Sequence, residues 1–390
     1  MVWGLLILIM IIAAVLRFWG AGFGLPRIFY IDETKIVKRS KLIANNVLHK
    51  KWDIDPQFYQ YPTFLTNLLA AEYVIYSLGY GIITSKTGKY KNMQEAMDTL
   101  FRNGDPGYVY DAYPPIFYLL ARLNNAVAGV LTVLICFFLS KIAFDNDDRI
   151  GLLSAFFLCV MFLHAKHSKY PMADAILAFW TILAMVYVVK IITRGALKDY
   201  ILAGLFIGLG ISTKYLTVFL TASYMLNAAV RWWQNHKDEI QSRRILLYAC
   251  IGLGMIPLGF LIGTPTFITR YRQYLGMAAR EKRGMGSAVQ GGKYGSTQRW
   301  FFDYFFSTVP SWFEPLTINS LWGAMGIPLL ITVFLAFIYF IYRGIDKKTP
   351  RKVIYWDFVL FISIFYWFIA GGGKNRIIRY FVIVAPFLTV

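Results

Sequence analysis

The feature that most constrains this chain is a series of apolar blocks, most of them close to the length needed to cross a hydrocarbon layer. They fall at roughly 2–19, 115–143, 150–165, 172–192, 200–213, 215–231, 246–263, 318–342 and 354–370, with another opening near 380. Hydrophobic residues make up 57% of the chain and aromatic residues 18%, well beyond a soluble domain. The expected fold is therefore an all-α, polytopic transmembrane helical bundle. Residues Val2 to Trp19 carry one charge, Arg17, too long a run for a signal-peptide core and with no small-residue cleavage site after it, so this is read as a retained first helix. The block near 380 holds only about eleven residues before Val390, under the roughly twenty of a spanning helix, and the expectation is one domain over 1–390 cut short at its C-terminal end.

The net charge of +19 raises nucleic acid as a partner. The basic residues are scattered through the connections between apolar blocks, without the aromatic-interleaved patch that a nucleic-acid surface needs, so orientation in the membrane and anionic lipid account for them better. Cys136, Cys159 and Cys250 all fall inside apolar blocks with no paired spacing, which excludes a disulfide framework or a zinc site.

Lysine and arginine concentrate in short cytoplasmic connections. Three qualify: Lys190 to Lys198, Arg231 to Arg244, and Arg343 to Lys352. With these inside, the turns near His164–Pro171, Ser212–Lys214 and Gly371–Arg379 fall on the opposite, non-cytoplasmic face, together with two large external segments, 20–114 and 264–317. The stretch from Pro62 to Thr84 then cannot cross once, and its Asn67 and Glu72 suit a juxtamembrane or re-entrant helix. The glycines between Gly284 and Gly295 read as a lid or linker; no strand precedes them, which excludes a nucleotide fingerprint.

Four groups of residues could carry chemistry, all on that external face. Asp32 and Glu33 are adjacent carboxylates just past the first span, where water reaches them and a lipid headgroup is near; the plain alternative is that Asp32 caps a helix from Glu33 to about Leu48. His167, Ser168, Lys169 and Tyr170 interrupt a helical hairpin and could be an ordinary interfacial belt, but Asp174, at the start of the next span, needs a partner or a purpose. Lys374, Arg376 and Arg379 with Tyr380 put three cations where positive-inside logic disfavours them, which calls for an anion such as a lipid phosphate. Arg122 and Lys214 stand at span entrances as further cations or as local anchors.

In this order, Asp32-Glu33-Thr34-Lys35, Tyr61-Pro62-Thr63-Phe64, Arg122, His167 to Tyr170 with Asp174, and Lys374 to Tyr380 resemble the motifs of the GT-C glycosyltransferase superfamily. The likeness is to the branch of protein O-mannosyltransferases and lipid A aminoarabinose transferases. It implies a GT-C-like bundle with juxtamembrane helices and an active site on the non-cytoplasmic face, taking a sugar from a polyprenyl-phosphate carrier with inversion. On this likeness Asp32 is the base, with Glu33 beside it and Asp174 as a second carboxylate. Arg122, His167, Lys169, Tyr170, Lys374, Arg376 and Arg379 would bind substrate, the cations taking the leaving phosphate. The sequence departs from the branch in having Pro62-Thr63 in place of a proline pair, with Pro114-Pro115 occurring later.

No cofactor is expected; a divalent ion on Asp32, Glu33 and Asp174 is chemically open because all three offer hard oxygen ligands. The acceptor could be a protein, a lipid or a glycan. The rival from another class is a transporter or flippase of lipid-linked sugars, which would place ionisable groups near mid-membrane at a repeat interface. A third reading is a scaffold that docks a partner through the aromatic run from Trp300 to Trp312.

Overall fold

The structure is a computed structural model that describes residues 2–28, 31–102, 112–290, 310–311, 314–318, 327–346, 351–371 and 382–390. For 31–32, 278, 280–290, 310–311, 314–318, 327–330 and 364–371 it describes the backbone alone. The apolar blocks become helices, since hydrocarbon offers no partner for backbone polar groups and a helix satisfies them within its own segment. The bundle comprises α1 (Val2–Phe18), α5 (Pro115–Ala143), α6 (Asp148–Val160), α7 (Phe162–His167), α8 (Ala173–Thr193), α9 (Leu197–Thr213), α10 (Leu220–Gln234), α11 (Glu239–Gly263), α13 (Ile327–Ile345), α14 (Lys352–Gly371) and the short α15 (Ala385–Thr389). Between α1 and α5 come α2 (Ile31–Leu48), α3 (Phe64–Lys86) and α4 (Met93–Phe101), and α11 is followed by α12 (Phe267–Gln290). A two-stranded antiparallel ribbon, Pro310–Ser311 with Glu314–Ile318, follows further along the chain.

By length and composition, four of the described helices can cross a membrane: α3, α5, α8 and α11. α8 is buried nearly all round, as its lack of a polar stripe requires, and α1, α5, α6, α9, α10, α14 and α15 share its core. A second core lies beneath α2, where Ile36, Val37 and Ile43 of α2 meet Leu69 and Tyr73 of α3 and Phe117 and Tyr118 of α5. α3 packs chiefly on α2 and α4, as a juxtamembrane helix would, yet it runs unbroken for 23 residues and has the length and apolarity of a span. Gly284 and Gly286, expected in a linker, lie within the helical backbone of α12.

α9 and α11 are the most intimate pair. A Cβ on Gly204 would collide with the carbonyl of Gly252, one on Gly208 with that of Ile256, and one on Gly259 with that of Leu205. Backbone approach of this kind replaces hydrophobic driving force between membrane helices.

The ends of the bundle separate cleanly. At one, Arg231 donates to the carbonyls of Ile192 and Arg194 at 2.9 and 3.0 Å, joining the 194–196 and 235–238 turns. Asp145 and Arg351 pair there at 3.6 Å. At the other end lie the start of α5, the turn before α8, the ends of α1, α9 and α11, the helices α2 to α4 and the start of α12.

Candidate functional site

The first turn of α2 carries the acidic pair. α2 begins at Ile31, so Asp32 stands inside the first turn and not at the cap; its side chain lies outside the described residues. Glu33 is fully buried and receives Arg122 Nε and Nη2 on Oε2 at 3.1 and 3.0 Å. The Nη1 group of the same guanidinium donates to the carbonyls of Ala21 and Phe23 at 2.9 and 2.8 Å. One side chain of α5 thus pins both the start of α2 and the loop leaving α1. Burial pushes the Glu33 carboxyl up from 4.5 to about 6, against the pull of the Arg122 guanidinium. Its Oε1 is buried with no hydrogen-bond partner among the described residues.

The next two polar residues of α5 reach other elements of the same end. Asn124 donates to Glu72 of α3. Asn125 donates to the carbonyls of Tyr170 and, at 2.7 Å, Met172, so the turn entering α8 is held from the side. On that turn His167 is buried and meets Tyr170 edge-on, ring centroids 6.4 Å apart. Lys169 is half-buried; burial first, and the charge of Arg17 second, lower its affinity for a proton.

Asp174, in the first turn of α8, pairs with Lys214 at 2.7 Å, both buried. The ammonium stands 5.6 Å from the centre of the Tyr61 ring. Tyr61 belongs to a strap, residues 49–63, tied down further along: Thr63 bonds to Thr264 Oγ1 and the Gly263 carbonyl at the end of α11. Asp55 of the strap pairs with Arg270 at 2.7 Å and accepts the Tyr59 hydroxyl. Arg270 has non-helical φ/ψ, so the ion pair sits at a kink of α12.

The sequence-derived candidates therefore assemble as pairs at one end: Glu33 with Arg122, His167 with Tyr170, Asp174 with Lys214. Lys374, Arg376 and Arg379 lie outside the described residues, as does the aromatic run Trp300 to Phe306. Sequence reasoning missed Asn125 and Asp55; the signal for Asn125 was a polar pair, Asn124-Asn125, inside an apolar block. Among the described residues no three His, Cys, Asp or Glu side chains converge on a point that could hold a metal ion, and the two described carboxylates of the expected set each face a cation.

Residues 97–270, less than half of the chain, match the family model described as dolichyl-phosphate-mannose-protein mannosyltransferase. The match takes in Arg122, the 167–170 turn, Asp174 and Lys214. Among solved structures, the chain is similar to the oligosaccharyltransferase of Archaeoglobus fulgidus in its apo form, with a TM-score of 0.54 and 16% identity over 100% of this chain and 49% of that one. The same values hold for that enzyme, AglB, in complex with an inhibitory peptide and a dolichol-phosphate. For its complex with Zn and sulfate the TM-score is 0.54 at 16% identity, over 99% of this chain and 48% of that chain. The chain shares the fold of this oligosaccharyltransferase. It spans about half the length of these solved structures. No curated protein matches it.

Proposed function

We propose that this chain is a membrane glycosyltransferase that moves a sugar from a polyprenyl-phosphate carrier to an acceptor hydroxyl, with inversion, on the non-cytoplasmic face. The observation that carries the reading is the match over 97–270, which brackets the 167–170 turn and the Asp174–Lys214 pair. The description of that family names dolichyl-phosphate-mannose and a protein, and the AglB complex holds a peptide and a dolichol-phosphate. These support mannose on a polyprenyl phosphate as the donor and a protein hydroxyl as the acceptor to be tried first. The two ion pairs that contain sequence-derived candidates, Glu33–Arg122 and Asp174–Lys214, lie at one end of the bundle and not at mid-membrane, which favours an enzyme over a transporter.

In this mechanism Asp32 takes the proton of the acceptor hydroxyl as its oxygen attacks the anomeric carbon. The bond from that carbon to the phosphate oxygen breaks, and the leaving phosphate keeps the electron pair. Lys169, with Lys374, Arg376 and Arg379, offsets the charge gained there. Glu33 acts through Arg122: its buried ion pair fixes the turn that presents Asp32. Asp174 and Lys214 form a neutralised pair beneath Tyr61 and set the floor on which a sugar could stack.

The test is transfer by the purified chain in vesicles, from dolichyl-phosphate mannose to a Ser/Thr peptide. Asp32→Asn is expected to lower the rate by about 10²- to 10⁴-fold, the usual contribution of a general base, with the melting curve unchanged. A wild-type rate in that variant removes Asp32 from the mechanism, and failure of the native chain to transfer from any polyprenyl phosphate removes the reading itself.

A further inference from the structure

α6 and α7 would be one continuous span but for Met161, whose backbone is extended at φ −63° and ψ 112°. In an unbroken helix the carbonyls of Leu158 and Cys159 would accept the amides of Phe162 and Leu163, four residues on. An extended Met161 takes those amides out of register, and hydrocarbon supplies no replacement. Arg17, in the last turn of α1, supplies it. Its Nη2 donates to Leu158 at 3.1 Å and its Nη1 to Cys159 at 3.2 Å, with a further bond to its own helix at Ala13, 3.2 Å. An arginine at a helix end ordinarily extends to the interface; this one is 0% exposed.

The same guanidinium reaches past the break. Nη2 donates to His164 Nδ1 at 2.9 Å, which places the ring proton on Nε2. The His164 carbonyl in turn accepts Ser168 N at 3.1 Å and Ser168 Oγ at 2.7 Å. Ser168 is seated against Gly129 of α5, where a Cβ would collide with Ser168 Oγ and stand 3.1 Å from Arg17 Cδ. Arg17, His164, Ser168 and Gly129 therefore form one contiguous contact, and the residues either side of Ser168 are His167 and Lys169.

We propose that Arg17 is a positioning residue: by capping the broken helix and holding His164, it sets the height and orientation of the His167–Tyr170 turn. That this turn grips the donor phosphate rests on the transferase reading; that Arg17 sets its geometry does not. The two are separated by using two readouts. The first is the maleimide reaction rate of Tyr170→Cys in a Cys250→Ser background, in which Cys136 and Cys159 are buried. Arg17→Met and Gly129→Ala are each expected to raise that rate severalfold, and Arg17→Lys to fall between them and the parent. The second is donor kinetics with Tyr170 restored. There the same variants are expected to raise KM for dolichyl-phosphate mannose by about tenfold with kcat nearly unchanged, as for a misplaced binding group. A folded Arg17→Met chain with parental labelling and parental KM overturns the proposal. If Arg17→Met does not fold, Gly129→Ala decides, since it removes no charge and parental labelling in that variant is equally fatal. If the native chain transfers no sugar, the transferase reading falls while the labelling rates still judge Arg17.

Discussion

At the scale of single residues, the Glu33–Arg122 pair shows what a buried charge demands. Removing one partner leaves the other stranded away from water, which typically costs about 3–5 kcal/mol. Arg122→Ala should therefore lower the melting temperature far more than Glu33→Gln, which keeps an acceptor for the guanidinium while Ala21 and Phe23 still take its Nη1. Equal losses in a thermal melt would mean that the pair is not formed. The pH dependence follows from the same burial. The folded Glu33 holds its proton up to about 6, against 4.5 for the ordinary group, so between these values the folded state binds more protons than the unfolded one. Stability from this group is thus greatest below pH 4.5, falls as the pH rises through that window, and is level above it, a change of about 2 kcal/mol. Glu33→Gln should flatten a melting profile between pH 4.5 and 6, and an unaltered profile in that variant would assign the slope elsewhere. Glu33 was legible in the sequence as a residue in need of a partner, because a carboxylate beside a span is costly unless paired. The partner was not: Arg122 lies 89 positions away, and no local pattern says which acid a distant arginine will meet.

At the scale of elements, the helices were the legible part, because spanning length and apolarity leave a segment little choice. The break at Met161 was not, since nothing in Leu158 to Leu163 departs from a good helix by composition; only the capping by Arg17 from another helix makes the extended residue tolerable. The α9–α11 contact carried a signal that went unread, Gly204 and Gly208 four apart on one helix and Gly252 and Gly259 on the other. Its consequence can be measured. In Gly208→Ala the new methyl would stand against the Ile256 carbonyl and the Phe260 amide nitrogen, and as these are backbone atoms the helices must part. Overpacking of this sort costs about 1–3 kcal/mol, read as a lower melting temperature with activity per folded molecule reduced, since α9 carries Thr213 next to Lys214 and α11 ends at the Thr63 contact. Gly254→Ala is the control: nothing lies within 4 Å of a Cβ there, and it should melt as the parent does. If the two variants behave alike, close packing is not what joins these helices.

At the scale of the whole molecule, orientation is a single binary choice that every connection must obey. The basic turns at 190–198 and 231–238 are joined by Arg231 at one end of the bundle, and the turn after α5 meets the residue before α14 through Asp145 and Arg351. α10 and α14 link the two groups, with Asn227 donating to Asp357 at 2.6 Å about two turns from those ends. The strap, the start of α2 and the Asp174–Lys214 pair all lie at the opposite end. Because lysine and arginine in short connections are retained on the cytoplasmic side, this geometry predicts that Lys237 and Lys51 face opposite compartments, Lys237 the cytoplasm. Single cysteines at the two positions, in a Cys250→Ser background, should report it in sealed vesicles of known sidedness. An impermeant maleimide added outside right-side-out vesicles should label position 51 and spare position 237 until the membrane is opened, and inverted vesicles should exchange the two. Labelling of both from one side would break the separation of the ends on which the fold depends. A clean reversal would keep the fold and turn the Asp32 end toward the cytoplasm, where the proposal of an external active site could not stand.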